Sequence, residues 1–365
     1  MAENQAGIRT RLEDYFRGAG EQDSVVTNLK QITEGWETII YAFTLSEGAS
    51  AVDAVARPLP PAVSPAPRLV GKDLVVRLYP KGNLLTKAGT EYGVMQQLFA
   101  AGYPVPMVMR FEEDPAHLGG PFIVMEQIHG RSMGWHYRNG TPERKREIMR
   151  LYGDLLVRLH SLDCRAFVGP GCVWETAPAS RSPLEPDVIA FFIRRSSIGG
   201  ALAPMLDWIS RHSRELQGEQ RCLVHGDFHV WNILMKDDRT PSVLDWGQVG
   251  IGDPRRDIAY PVILAETERR PDLAKDIREA YEAASGKPLR DFEACEILAL
   301  FRRFGGVMVS MADGAETLGL LTGLEAYMFE RLGEVRRLYD HVVARSGVRM
   351  PDIEELLNRW QESRR

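Results

Sequence analysis

Cysteine is scarce in this chain. Its four residues, Cys164, Cys172, Cys222 and Cys295, show no Cys-x-x-Cys spacing. A zinc ribbon or a disulfide framework needs clustered pairs, so neither organises the fold, and reduced thiols in a cytoplasm are expected. Long apolar runs are missing as well. The most apolar C-terminal stretch, 297–311, is broken by Arg302 and Arg303, so no membrane partner is expected. The opening MAENQAGIRTRLEDYFRG has no apolar segment of the kind a secretory signal needs. Basic charge is not in excess: the net charge is −5, which argues against a broad nucleic-acid footprint. There is no G-x-x-x-x-G-K-[ST] loop and no G-x-S-x-G elbow, which disfavours P-loop nucleotide enzymes and that class of hydrolase. The glycines of 250–257 lack the third member of a dinucleotide-binding fingerprint and follow no βαβ pattern. What remains, 44% hydrophobic and 26% charged, is an ordinary globular composition, and 365 residues are more than one core holds comfortably.

Two short motifs carry the chemistry. One is His225-Gly226-Asp227-Phe228-His229-Val230-Trp231-Asn232; the other is Leu244-Asp245-Trp246-Gly247. Asp227, Asn232 and Asp245 follow one another at steps of five and thirteen residues. Apolar segments flank both motifs, and the polar stretch 236–241 between them reads as a turn. A hairpin of this kind brings Asn232 and Asp245 to the same end, with Asp227 on the loop before its first strand. Phosphoryl transfer needs little covalent help. It needs charge neutralised and an acceptor oxygen held in line. Mg2+ takes hard oxygen ligands and keeps part of its water, so one carboxylate and one amide oxygen beside phosphate oxygens suit it. A second carboxylate can orient the acceptor hydroxyl and take its proton. Asp227 fits the base; Asn232 and Asp245 fit the metal.

With HGDFHVWNIL and LDWGQVGIGDPRRDIAY in view, the chain resembles the aminoglycoside phosphotransferase and choline kinase group over roughly residues 25–330. The resemblance implies an α+β, bilobal, protein-kinase-like fold: a small β-rich N-terminal nucleotide lobe (1–126) and a larger, mainly helical catalytic and substrate lobe (127–365). It implies a Mg2+-dependent kinase that moves the γ-phosphoryl group of ATP or GTP to a hydroxyl of a small acceptor, such as an aminoglycoside, another antibiotic or an amino alcohol. It assigns Arg77 to the phosphates, braced by Glu91. Arg stands where protein kinases have Lys, and its planar fork would meet phosphate differently. The plainer alternative is an edge-strand Arg and a Glu at a helix N-terminus. The turn 33–37 would cover the phosphates with a single glycine, Gly35; a simple hairpin turn is the alternative. At the lobe connection, Met125 would lie behind the purine, and Glu126 to Ile128 would present backbone to it. Asp253 and Asp257 would brace the metal loop.

The rest of the chain supplies context. Ile8, Leu12, Tyr15 and Phe16 have helical spacing over 7–18. Residues 25–29, 38–45, 73–79 and 122–128 read as strands, and 90–99 as a helix opened by Thr90 and Glu91. Segment 47–68, rich in Ala, Pro and Ser, reads as a flexible surface insertion. His160 ends an apolar helical face and reads as structural; His225 reads as scaffold for the loop. Residues 261–330 hold thirteen acids against eight bases. That excess suits a cationic acceptor or, more plainly, a solvated surface. Trp174, Phe191, Phe192 and Trp208 offer an apolar or sugar-stacking lining instead. Two other classes stay open: a catalytically silent nucleotide-binding regulatory module on the same fold, and a protein kinase. The intact Asp, Asn, Asp set argues against the first. Asp-Trp-Gly and the missing Ala-Pro-Glu argue against the second. The motifs encode neither the acceptor, the choice of ATP or GTP, nor an oligomeric state.

Overall fold

The computed structural model describes residues 5–32, 37–48, 68–79, 84–167 and 184–363. The chain divides into two compact units, Met1–His129 and Gly130–Arg365. Gly35, nearly all of the 47–68 segment and Trp174 lie outside the described residues.

The first unit is an antiparallel sheet with helices packed against it. In chain order it runs α1 (Gln5–Gly18), β1 (Ser24–Ile32), β2 (Ile39–Glu47), β3 (Lys72–Leu78), α2 (Leu84–Ala100), β4 (Val108–Glu112), α3 (Pro115–Leu118) and β5 (Phe122–Glu126). Five strands pair in the order β1-β2-β3-β5-β4, and α1 and α2 pack against them. The spacing of Ile8, Leu12, Tyr15 and Phe16 gives α1 one apolar stripe, and all four are buried. Phe16 meets Phe43 of β2 at 5.7 Å between ring centroids, and Tyr15 meets Phe122 of β5 edge-on at 4.9 Å. Leu74, Val76 and Leu78 alternate along β3 and enter the same core. β3 is central, so Arg77, paired in register with Ile40 and Ile123, is not an edge residue.

The second unit is mainly helical. It comprises β6 (Arg131–Ser132), α4 (Met133–Asn139), α5 (Pro142–His160), α6 (Pro186–Arg195), α7 (Ala203–Arg211), β7 (Cys222–Val224), β8 (Ile233–Met235), β9 (Pro241–Val243), β10 (Gly250–Gly252), α8 (Pro254–Thr267), α9 (Pro271–Ser285), α10 (Phe292–Asp313), α11 (Leu324–Glu330), α12 (Leu332–Ser346) and α13 (Pro351–Glu362). Thr141 caps α5 by accepting from Arg144 N–H, with Pro142 next, as the Thr-Pro-Glu start signals. The strands are short and serve as mounts. β8 and β9 form the hairpin, with Ile233 opposite Val243, and β7 pairs with β10. α10 is the central helix, and fifteen of its residues are buried. No described helix is long and apolar enough to cross a membrane.

Candidate active site

The hairpin register sets the second unit's site. Leu244 N–H donates to the Asn232 carbonyl at 2.8 Å, one step beyond the β8–β9 pairing, so Asn232 and Asp245 lie together at its open end. Asn232 also reaches back to the loop. Its Nδ2 donates to the Asp227 carbonyl at 3.0 Å and lies 3.4 Å from Asp227 Oδ2. With the amide nitrogen turned to Asp227, the amide oxygen is the atom left to ligate a cation. Asp245 sits in the left-handed region, φ 64 and ψ 62. That conformation costs a non-glycine residue of order 1–3 kcal/mol, and such outliers cluster where a side chain must be aimed. Among the described residues no three His, Cys, Asp or Glu side chains cluster as a metal cage. A two-ligand set completed by phosphate oxygens and water is what Mg2+ accepts, so the donors fit that ion.

The loop carrying Asp227 is held on every side. Asp257, fully buried on α8, accepts from His225 N–H at 2.9 Å and Gly226 N–H at 2.8 Å. It also lies 3.1 Å from His160 Nε2, while His160 Nδ1 lies 3.1 Å from the Tyr281 hydroxyl. His160 is thus a strut between α8 and α9. Gly226 has φ +83, and a Cβ there would lie 2.4 Å from the Gln248 carbonyl oxygen, so this position requires glycine. His225 Nε2 donates to the Leu244 carbonyl at 2.8 Å, and Asp227 N–H donates to His225 Nδ1 at 3.2 Å. These bonds need the neutral imidazole, protonated at Nε2 only. Tyr152 of α5 donates to the Phe228 carbonyl at 2.7 Å. Asp257 braces the loop of the expected base directly, and reaches the Asp245 segment through His225. Asp253 instead caps α8 and pairs with Arg255 at 2.7 Å. His229 Nε2 is 3.7 Å from Asp227 Oδ1. Trp231 packs flat on the backbone of Gly134, with Arg270 4.8 Å from its ring centroid.

Electrostatics follow burial. Burial holds the His225 imidazole below its ordinary value near 6.5. Burial pushes the Asp257 carboxyl up, but the His160 hydrogen bond, the nearby imidazoles and the His225 N–H outweigh it, so it lies below its ordinary 3.8. Both groups shift stability in the same direction. The unfolded chain protonates His225 as pH falls through about 6.5 while the folded loop resists, so stability is full above that and declines below it. Asp257 adds a second loss as pH falls below about 4. We expect the melting temperature to fall between pH 7.5 and 5, and His225→Gln to flatten that slope. Parallel slopes for the two proteins would assign the acid sensitivity elsewhere.

In the first unit, Arg77 Nη1 lies 3.2 Å from Glu91 Oε1, with side chains 9% and 1% exposed. Tyr79 donates to the other Glu91 oxygen. The helix begins at Leu84, not at Thr90, so Glu91 stands two turns inside α2 and does not serve its N-terminus. This is a correction to the expected helix start; the signal passed over is Asn83, a favoured cap residue type directly before Leu84 in the sequence. Met125 is buried in register with Val75 and Val108. Glu126 N–H donates to the Met107 carbonyl at 3.0 Å, its carboxylate accepts from Met107 N–H at 3.0 Å, and Gln127 N–H donates to Asp73. Ile128 N–H makes no hydrogen bond among the described residues. Of the three backbone donors expected to face a purine, two are therefore already engaged.

The sequence matches the phosphotransferase enzyme family (APH) over residues 55–298, about two thirds of its length. The chain belongs to that family. Its fold is shared with a thermostable mutant of aminoglycoside phosphotransferase APH(4)-Ia in ternary complex with ADP and hygromycin B (TM-score 0.57, 16% identity, 92% of this chain and 98% of that one). It is also shared with the macrolide 2'-phosphotransferase MphH of Brachybacterium faecium (TM-score 0.50, 16% identity, 83% and 93%). Curated relatives include acyl-CoA dehydrogenase family member 10 of Mus musculus, 30% identical over 200 residues, covering 53% of this chain and 18% of that protein. Acyl-CoA dehydrogenase family member 11 of Homo sapiens is 26% identical over 248 residues, covering 64% and 30%. The chain thus spans less than a third of the length of these relatives.

Proposed function

We propose that this phosphotransferase-family protein is a small-molecule kinase, transferring the γ-phosphoryl group of ATP or GTP to a hydroxyl of a small acceptor. The carrying observation is the convergence of Asp227, Asn232 and Asp245 on one hairpin end, locked by the bond from Asn232 Nδ2 to the Asp227 carbonyl. Asp227 orients the acceptor hydroxyl and takes its proton as the new P–O bond forms. Asn232 Oδ1 and the Asp245 carboxylate hold Mg2+, which when bound supplies charge neutralisation at the phosphates. In the first unit Arg77, clamped by Glu91, steadies phosphate, and the segment from Met125 to Ile128 receives the purine with Ile128 N–H as donor. The first unit is accordingly the nucleotide lobe, and the second the catalytic lobe. The ADP complex of a protein of the same fold supports the donor class.

Turnover of ATP and GTP, run separately with Mg2+ against pooled aminosugars, macrolides, amino alcohols and simple alcohols, tests the reading. Intact-mass detection of a product heavier by one phosphoryl group supports it. Absence of Mg–nucleotide binding would refute it. Asp245→Ala is expected to weaken Mg–nucleotide affinity at least tenfold in the same titration, since removing one of two protein ligands leaves a single amide oxygen; unchanged affinity removes Asp245 from the metal.

A second reading concerns the acceptor. The curated relatives bear acyl-CoA dehydrogenase names, and the matched part is a fraction of each. A kinase joined in one polypeptide to a protein of that name would meet acyl thioesters, so a hydroxyacyl thioester belongs in the acceptor pool. Its phosphorylation, with aminosugars left untouched, would favour this reading over an antibiotic acceptor.

A further inference from the structure

We propose that Arg302 of α10 forms a recognition site for an anionic oxygen group, carboxylate or phosphate, on the acceptor. The proposal rests on the kinase reading above for the chemistry of the site beside it.

The observation is an arginine left without a counter-charge beside the base loop. Arg302 stacks on Tyr260 of α8, its Cζ 4.3 Å from the ring centroid. Its Nη2 donates to Gln248 Oε1 across 3.5 Å, a long bond. Its Nη1 is buried and has no hydrogen-bond partner. The next residue, Arg303, has a buried Nε with no partner either. Neither arginine makes an ion pair among the described residues, although Glu325 stands on α11, which packs against α10. A guanidinium has five donors and cannot shed its charge, so a buried unpaired nitrogen is costly unless something else meets it.

The place of Arg302 is specific. Gln248, which it reaches, lies three residues after Asp245, and its backbone and Cβ press on Gly226. A Cβ on Gly226 would lie 2.4 Å from Gln248 O and 2.9 Å from Gln248 Cβ. Gly226 precedes Asp227. Arg302 therefore stands one side chain away from the base loop, held by Tyr260 with its Nη1 uncommitted.

The acids of these helices do not offset it. Glu266 pairs with His341 and Arg345, and Glu296 pairs with Arg345. Asp313 accepts from Ser196 and Ser197, Asp276 from Tyr137, and Glu282 from Leu289 N–H. Part of the acidic excess of 261–330 is thus spent on joining helices. Glu325 Oε2 is buried without a hydrogen-bond partner as well, but the charge that reaches Gln248 beside the base loop is the positive one of Arg302, which selects an anionic acceptor over a cationic one.

The test measures anion binding apart from turnover. Thermal shift and calorimetry would titrate inorganic phosphate and malonate into the full chain, with ionic strength fixed by chloride, with and without saturating Mg–AMP-PNP. We expect saturable binding of at least one probe that survives nucleotide saturation. Arg302→Gln should weaken it about tenfold or more, as loss of a charge-assisted bond does, and Arg302→Lys should restore most of it. The preference between the probes separates phosphate from carboxylate. No saturable binding in the wild type, equal binding in Arg302→Gln, or displacement by the nucleotide would each overturn the proposal. The last would give Arg302 to the nucleotide's phosphates. Failure of Mg–AMP-PNP to bind would sink the kinase reading instead, and the nucleotide-free titration would still read Arg302.

Discussion

Asp227→Ala is expected to lower turnover by about a hundredfold to ten-thousandfold while leaving Mg–nucleotide affinity and melting temperature nearly unchanged. The rate loss is what removing a positioned general base costs. The sparing of stability follows from geometry. The bond that locks Asn232 to this loop runs to the Asp227 backbone carbonyl at 3.0 Å, and alanine keeps it; the 3.4 Å approach to Oδ2 and the 3.7 Å approach of His229 to Oδ1 are lost. The His225 to Asp227 N–H bond also stays. A half-buried side chain with no other packing role costs under about 1 kcal/mol. Single-turnover rates with saturating nucleotide check the first part, and a melting curve the second. Near-wild-type turnover would take the base role from Asp227. A large stability loss would mean that the carboxylate is structural.

The neighbouring histidines give this prediction its contrast. His225 is already bonded at both ring nitrogens, and burial keeps it neutral, so it has no free position for a proton from substrate. His229 is closer to solvent, its Nε2 3.7 Å from Asp227 Oδ1. Loss of turnover in Asp227→Ala but not in His229→Ala would separate the two.

The parts of the fold legible in the sequence were those with a strong local period or a forced turn. The stripe of Ile8, Leu12, Tyr15 and Phe16, the β-branched runs of β1 to β3 and β5, and the hairpin between Asn232 and Asp245 all formed where pattern puts them. The expected α2 start at Thr90 is late because it passes over Asn83, a favoured cap residue type directly before Leu84. The use of Glu126 and Gln127 N–H groups by Met107 and Asp73 could not be read either, because those bonds join segments nineteen and fifty-four residues apart. Charge counting over 261–330 does not show where each acid is used. It cannot tell an acid that pairs with a distant Arg345 from one that faces solvent, nor see that Arg302 Nη1 is buried without a hydrogen-bond partner among the described residues.

The same limit applies to Asp257, and its substitution should have the largest effect on stability. One carboxylate with no exposed surface accepts two backbone N–H groups and faces His160. Asp257→Ala strands all three donors in a buried site. Breaking one side of such an arrangement costs about 3–5 kcal/mol, which for a unit of this size lowers the melting temperature by roughly 10 °C. Turnover should fall too, because the His225–Gly226 turn that aims Asp227 loses its anchor. Asp257→Asn keeps one acceptor oxygen and should lie between the two proteins. The contrast with Asp227→Ala is the point: one carboxylate governs the rate with the fold intact, the other governs the fold and the rate through it. Melting curves for the two variants run side by side check this, and equal stability of Asp257→Ala and wild type would show that the loop is held by something other than this clamp.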